Sequence, residues 1–338
     1  MDDLERPPTG EHALHRIEIA ELEHLLHDAF AGVGLGGAEA ARIADSLVQS
    51  ELEDVPTHGV MRVPWYLDGY RTGRYVPAGD LAVERCGAVG VLDGGGALGY
   101  LPTSVAVDAA VGLAAEQGIG AVGVHRIAEF GRAAYYTQAA AARGMVAIVC
   151  QNTQALLAAP GACSNTIGNN PLAYATPGAD GAVFDAAFTP RSGGEVRRRA
   201  LLGLPLPLEW GYVDADGRPT EDPVAAAAGA PQAVGGAKGF GLAVLVDLLA
   251  GPLAGGCPGH RAGMVTAEMG AFVLAIDPAR FGAQERMHHE VGEIAAAVRS
   301  SGGRWPGDRA KRARDRHLAA GAVEIAEPLW RALVDALA

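Results

Sequence analysis

Apolar residues recur at three- and four-residue steps over 17–31 and again over 38–51, the spacing that lays one face of an α-helix against a core. Between them runs Gly32-Val33-Gly34-Leu35-Gly36-Gly37, too rich in glycine to continue a helix, so the pair predicts a helical hairpin. A short helix is expected over 65–71 with Pro64 in its first turn, where a missing N–H costs nothing. Residues 81–93 read as short strands ending at the turn Gly94-Gly95-Gly96, and an Ala/Val-rich helix follows over 103–117.

Short β-branched runs then alternate with helices: strands over 119–124, 145–149 and 182–184, with a helix over 132–143. A segment rich in Arg and Leu spans 195–208, and Asp214-Ala215-Asp216-Gly217-Arg218-Pro219 marks a turn. An almost wholly apolar helix over 238–253 is expected to cross the core, followed by a late strand over 272–276 and closing helices over 283–300 and 319–337. There is no internal repeat. Helical ends around a mixed middle predict the α/β class.

Composition narrows the function classes. The 338 residues are 49% hydrophobic and 20% charged, enough for two domains or one large one with an elaborated core. A net charge of -12 weighs against a nucleic-acid partner, whose phosphates are bound by Lys and Arg. The basic stretch 304–316 is interleaved with Asp308 and Asp315 and reads as a solvated helix face. Cys86, Cys150, Cys163 and Cys257 show no CxxC spacing, so neither a zinc site nor a disulfide framework is indicated, and a reduced cytoplasm fits. His24, His27, His288, His289 and His317 lie in polar helical stretches and are expected to be exposed; no metal site is expected. The first twelve residues are acidic and polar, and no apolar run reaches the ~18 residues of a membrane span. A soluble protein without a membrane partner is the expectation.

The most informative chemistry lies in residues 57–67, Thr-His-Gly-Val-Met-Arg-Val-Pro-Trp-Tyr-Leu. His58 titrates near neutrality and can pass a proton, and Arg62 can grip a carboxylate through two parallel hydrogen bonds. The pairing suits a 2-oxo or 2-hydroxy acid. Taken alone, the same residues also read as a surface His and Arg in a connection. Gly118-Ile119-Gly120-Ala121-Val122-Gly123 matches GxGxxG, yet a helix precedes it and the apolar run reads as the strand itself, the reverse of a Rossmann fingerprint. Gly32 to Gly37 fails likewise, lying between two helices. A nicotinamide, if bound, uses another scaffold.

Several segments in order carry a resemblance. They are Thr57-His58-Gly59-Val60-Met61-Arg62; residues 118–124 with Phe130-Gly131; residues 168–178, Gly-Asn-Asn-Pro-Leu-Ala-Tyr-Ala-Thr-Pro-Gly; residues 214–223; Gly235-Gly236-Ala237-Lys238-Gly239-Phe240-Gly241-Leu242; and Pro306-Gly307-Asp308-Arg309. Together they resemble the malate/L-lactate dehydrogenase-like family of NAD(P)-dependent oxidoreductases, which includes ureidoglycolate and sulfolactate dehydrogenases, diketogulonate reductase and cyclic-imine carboxylate reductases. The resemblance implies a non-Rossmann fold, with a helical end domain (1–78 with 285–338) packed on a central mixed-sheet NAD(P) domain (79–284). It also implies a homodimer acting on a small carboxylate substrate with NAD or NADP.

The resemblance makes His58 the proton carrier, with Arg62 and Thr57 at the substrate. Asp185 would orient the imidazole, though it also reads as a helix N-cap. Thr153, Asn170, Asp185, Ala186, Ala187, Lys238, Gly307 and Asp308 fall to the cofactor; Lys238 also reads as a solvated loop residue. Three departures stand out. Thr57 replaces the family's usual serine, Glu129 stands where a histidine usually precedes Phe-Gly, and 188–195 replaces a Thr/Ser-rich turn and puts Glu195 in place of lysine. Glu129 joins the catalytic set by position, and its charge favours a cationic nitrogen over a dianionic acid such as malate. The alternative is a repurposed homologue that binds a nucleotide or metabolite without turnover.

Overall fold

The hairpin forms as its periodicity requires, and a strand precedes it. In the computed structural model, which describes residues 13–191, 196, 199–200, 203–263 and 267–338, β1 (Leu14–Glu18) leads into α1 (Ile19–Gly32) and α2 (Gly37–Leu52). Leu22, Leu26 and Phe30 of α1 meet Ile43 and Leu47 of α2 in a core that also takes Tyr66 and Leu67 of α3 (Val63–Arg71). Ile17, expected in the first helix, belongs to β1.

The middle of the chain builds a seven-stranded sheet. The hairpin β2 (Val83–Cys86) and β3 (Val89–Asp93) is followed by α4 (Tyr100–Gln117), β4 (Ile119–Ile127), α5 (Ala133–Ala141) and β5 (Val146–Gln151). A small ribbon of β6 (Leu157–Ala158) and β7 (Asn165–Ile167) separates these from β8 (Leu172–Ala175) and β9 (Val183–Ala186). A second ribbon pairs β10 (Tyr212–Val213) with β11 (Ala230–Pro231) around α6 (Pro223–Ala228). Then come α7 (Ala237–Leu248), one widened turn over Leu249–Leu253, and β12 (Met269–Ile276). The sheet order is β2-β3-β4-β12-β5-β8-β9, and only β3 and β4 run parallel.

Alternation along the strands serves both faces. Val149, Ala271 and Val273 point to α4 and α5, whereas their neighbours Cys150 and Phe272 point to Val246 and Ala250 of α7 and its widened turn. The helix over 238–253 therefore does not cross the core. Ala243, Val246 and Ala250 are buried, but Leu242, Leu245, Leu248 and Leu253 are 46–64% exposed. A helix apolar on all sides carries no signal for which face is covered.

The GxGxxG stretch serves packing. Gly118 ends α4 in the left-handed region (φ 89°), and a Cβ at Gly120 would collide with the Ala110 carbonyl of α4. A Cβ at Gly123 would stand 2.8 Å from the Cα of Ala254. These glycines let a helix and a turn lie directly on β4, and no helix opens after them to receive a phosphate.

The closing helix expected over 319–337 is divided. After α8 (Gln284–Ser300) and α9 (Asp308–Ala320), Gly321 turns left-handed (φ 67°), and the alternating Ala-Val-Glu-Ile-Ala forms β13 (Ala322–Ala326) before α10 (Glu327–Leu337). β13 pairs antiparallel with β1 from Leu14↔Ala326 to Glu18↔Ala322, which brings the two ends of the chain onto the same helical core. His317, expected to be exposed, is partly buried and bonds Asp54 Oδ1 at 3.0 Å. No helix among the described residues is long and apolar enough to cross a membrane.

Candidate active site

The loop that carries His58 is built from two single turns joined at a glycine. Asp54 leaves α2 in the left-handed region (φ 54°), and Val55 N–H closes on Ser50 O at 2.8 Å. Pro56–His58 and Val60–Arg62 then form one 3₁₀ turn each, hinged at Gly59. Across the hinge, Arg62 Nε donates to Thr57 O at 2.8 Å, and Thr57 Oγ1 stands 3.1 Å from His58 Nδ1. Asp54 anchors the loop's start to α9 through His317 and Arg316, the latter at 2.7 Å. The histidine and arginine are thus fixed relative to one another before any ligand arrives.

They open into a cleft of about 930 Å³ between this loop, the sheet and the segment after residue 306. Two guanidiniums of the cleft, Arg62 and Arg132, are paired with carboxylates. Glu129 Oε2 accepts from Arg62 Nη1 at 3.1 Å; burial raises its carboxyl pKa above the usual range, with Arg62 and a hydrogen bond from Tyr66 pulling the other way. Arg132, 9% exposed, pairs with Glu53 at the end of α2 and stands 3.6 Å from Asp185 Oδ2 on β9. Asp185 also accepts from Ala134 N–H at 2.8 Å; burial raises its pKa, and Arg132 and the amide oppose the rise.

These surroundings decide the state of His58. Burial, then the guanidiniums of Arg62 and Arg132, push its pKa from 6.5 down to about 3, so the imidazole is neutral in the free protein. The unfolded chain takes up a proton near pH 6.5 that the folded chain refuses until about 3. This group's contribution to stability is therefore present above pH 6.5 and is lost as pH falls through that window.

His58, Arg62, Thr57, Glu129, Thr153, Asp185, Ala186, Ala187 and Gly307 all line this cleft. Asp185 does not orient the imidazole by a hydrogen bond: its carboxylate is spent on Arg132 and the Ala134 amide, and His58 Nδ1 faces Thr57 instead. Asn170 is fully buried at a left-handed backbone (φ 44°), its side chain accepting from Thr153 N–H at 3.0 Å and donating to Ala243 O at 2.8 Å. Its neighbour Asn169 lines the cleft and accepts from Thr153 Oγ1 at 2.7 Å.

Lys238 stands exposed in the first turn of α7; Val234, four residues earlier, lines the cleft, and Lys238 does not. Asp308 turns to a neighbouring cavity of about 510 Å³, where two bonds from Arg299, at 2.7 and 2.9 Å, hold its carboxyl below the usual range. Of the divergent turn, 188–191 is described and 192–195, with Glu195, lies outside the described residues.

Arg132, Glu51 and Glu53 fall in none of the motifs, and Asn169 falls in one that points to its neighbour Asn170. One signal was available: Glu51 and Glu53 sit at the C-terminal end of an amphipathic helix, where the dipole disfavours acids, and such residues need partners.

Residues 17–334 match the family described as malate/L-lactate dehydrogenase. The (2R)-3-sulfolactate dehydrogenase (NADP(+)) of Chromohalobacter salexigens is 33% identical over 301 residues, 87% of this chain and 90% of that protein. The Delta(1)-pyrroline-2-carboxylate reductase of Ancylobacter novellus is 32% identical over 314 residues, 89% of this chain and 92% of that one. Among solved structures, the sulfolactate dehydrogenase of Methanocaldococcus jannaschii superposes with a TM-score of 0.88 at 26% identity, covering 95% of this chain and 96% of that chain. The non-Rossmann fold expected from the motifs is the fold found. The alternative of a protein that binds without turnover finds no support among these relatives.

The Arg132 pairing yields an expected outcome. Arg132→Met leaves Glu53 and Asp185 buried without their cation and should cost about 3–5 kcal/mol of stability in denaturant unfolding. In the folded fraction, NMR titration of His58 should show a pKa above that of the parent, because one of the two cations opposing its proton is gone. Unchanged stability would mean the guanidinium is not what balances these carboxylates.

Proposed function

The chain belongs to the malate/L-lactate dehydrogenase family, and we propose that it is an NAD(P)-dependent oxidoreductase interconverting a 2-oxo acid or cyclic imine carboxylate with its reduced form, with a preference for the nitrogen-containing substrate. The observation that carries this reading is His58 and Arg62 fixed side by side in the cleft with Glu129 on the same guanidinium.

The cleft suits a dinucleotide. Its volume lies at the upper end of the ~300–1,000 Å³ typical of small-molecule sites. It offers the Thr153 hydroxyl, the Asn169 amide, the backbone of 185–187 and the guanidiniums of Arg191 and Arg309, a donor set that matches hydroxyls and phosphates. Gly307, at φ 96°, leans on Val183, where a Cβ would meet backbone and side chain at 3.1–3.4 Å, and so closes that wall tightly. When bound, the nicotinamide supplies or accepts a hydride at the substrate carbon.

The chain's own residues do the rest. In the oxidising direction the neutral His58 imidazole takes the proton from the substrate hydroxyl or amine. In the reducing direction a substrate carboxylate at Arg62 opposes the two guanidinium fields, raises the proton affinity of His58 and lets it protonate the product oxygen or nitrogen. Arg62 Nε and Nη1 are engaged with Thr57 and Glu129, leaving Nη2 for that carboxylate. Glu129 places a carboxylate against Arg62 where a protonated imine nitrogen would be attracted and a second substrate carboxylate repelled.

Two further readings complete the proposal. The exposed leucines of α7 and its widened turn form an apolar stripe that a second copy of the chain would cover, making a homodimer. Four free cysteines, one of them fully buried, suit a reducing cytoplasm.

Following nicotinamide absorbance with a keto acid and with a cyclic imine carboxylate tests the central claim. His58→Ala should lower turnover by roughly two to four powers of ten with cofactor affinity near the parent's; parental turnover in that variant would remove His58 from the mechanism. In the same assay Glu129→Gln should move the kcat/KM ratio toward the keto acid by about tenfold, the worth of ~1.4 kcal/mol in one charge contact, and a fixed ratio would place Glu129 outside substrate discrimination. Sedimentation should give a dimer for the parent and a monomer for Leu245→Glu, whereas a monomeric parent would refute the assembly.

A further inference from the structure

Glu51 is a carboxylate in the wrong place for stability. It lies in the last turn of α2, 7% exposed, between Ser50 and Leu52, which are buried as well. Among the described residues no cation pairs with it, and the charge of Asp54 that acts on it is a like charge. Burying an acid without a cation costs more than replacing it with an apolar residue of similar size. Its carboxylate is used instead on the histidine loop. Glu51 Oε1 accepts from Val60 N–H at 2.7 Å, and the same group fills the space beside Gly59, so that a Cβ at that position would overlap its carboxylate.

The two contacts define the hinge. Gly59 separates the 3₁₀ turn that ends at His58 from the turn that ends at Arg62. The backbone on its far side is tied down at Val60 by Glu51, and the backbone on its near side at His58 N–H by Val55 O at 3.0 Å. The acid and the glycine are fitted to each other: the loop lies flat on the end of α2 only because residue 59 has no side chain and residue 51 offers an oxygen there. Rotation at Gly59 is what would alter the placing of His58 relative to Arg62, and that rotation is what the carboxylate prevents.

We infer that Glu51 is a positioning residue for proton transfer, holding His58 and Arg62 in register by pinning the hinge between them through Val60 N–H and the packed face of Gly59. The inference rests on the reading of His58 as the proton carrier. Burial pushes the Glu51 carboxyl up to about 7, with the Val60 N–H opposing and Asp54 reinforcing the rise, so it passes between two protonation states around neutrality. Both states keep an acceptor oxygen for Val60. The acceptor, and not the charge, is what the loop requires.

The test compares Glu51→Gln, which keeps an acceptor of the same length, with Glu51→Ala, which has none, and with Glu51→Asp, which is one methylene short. Glu51→Ala should lose about 10- to 100-fold in kcat, the scale of a misplaced reacting group, with the KM for NAD(P)H within about twofold of the parent. Glu51→Gln should return kcat to within about threefold of the parent, and Glu51→Asp should fall between. Hydrogen exchange at the Val60 amide gives a readout independent of activity: protection kept in the Gln variant and lost in the Ala variant. Should the Ala variant fail to fold, the Asp variant carries the comparison with Gln. A folded Ala variant with parental kcat overturns the inference, as does a Gln variant no better than Ala or Asp with Val60 protection unchanged throughout. Parental turnover in His58→Ala would sink the proton-carrier reading instead, whatever the Val60 amide does.

Discussion

The buried guanidinium of Arg132 is the contact on which the site depends. It stands between Glu53, at the end of the helix that leads into the histidine loop, and Asp185, on the last strand of the sheet. Each of these charges costs several kcal/mol to remove from water, and together they are tolerable only as a set. The set therefore fixes a distance: the end of α2 cannot move from β9 without exposing one charge or stranding another. Gln49 and Gln138 reinforce it, each donating to Glu53 and sharing a bond of 2.6 Å. What looks like a salt bridge at the back of a cleft is the fastening that makes one cleft out of two parts of the fold.

The same guanidinium shapes the chemistry. Arg132 and Arg62 both oppose a proton on His58, and Glu129 neutralises one of them at close range. The free site is thus poised with a neutral imidazole and one guanidinium half-occupied by an internal acid. An incoming anion enters a field of two cations that the protein has only partly balanced, and in doing so changes the proton affinity of the histidine beside it. On the proposed role of His58, binding of an anion would couple to proton delivery through charge.

Legibility from the sequence followed the strength of the local signal. The α1–α2 hairpin comes from a clear helical period, α4 from its Ala/Val content and most strands of the sheet from short apolar runs between turns, whereas β8 is not among the strands expected; His58 and Arg62 come from one compact motif and both line the cleft. Errors came where local pattern underdetermines tertiary placement. The α7 segment is almost wholly apolar and turns its one acid, Asp247, inward, so its buried face could not be read, and β13 is five residues that a helical frame on either side absorbs. Asn170 and Asn169 are adjacent and chemically identical, and only the left-handed backbone at Asn170 decides which of them turns inward. Glu51, Glu53 and Arg132 act through partners distant in sequence, a relation that no local spacing encodes.

The topology explains why the cleft lies where it does. In a doubly wound parallel sheet the ligand crevice opens at the carboxyl ends of strands where their order reverses, and a glycine loop meets the phosphates. Here the neighbours around β12 and β5 are antiparallel, so no such crevice exists, and the glycines of 118–123 are spent on close packing against α4 and Ala254. The open place is the edge strand β9, whose second neighbour would be solvent. The chain covers that edge partly with its own ends: Val183 N–H bonds Pro306 O at 3.1 Å, and the histidine loop is held opposite through Arg132. An unpaired edge is ordinarily a hazard of aggregation. In this fold the gap beside it is walled by titratable side chains, and residues 185–187 line the cleft instead of pairing with another strand.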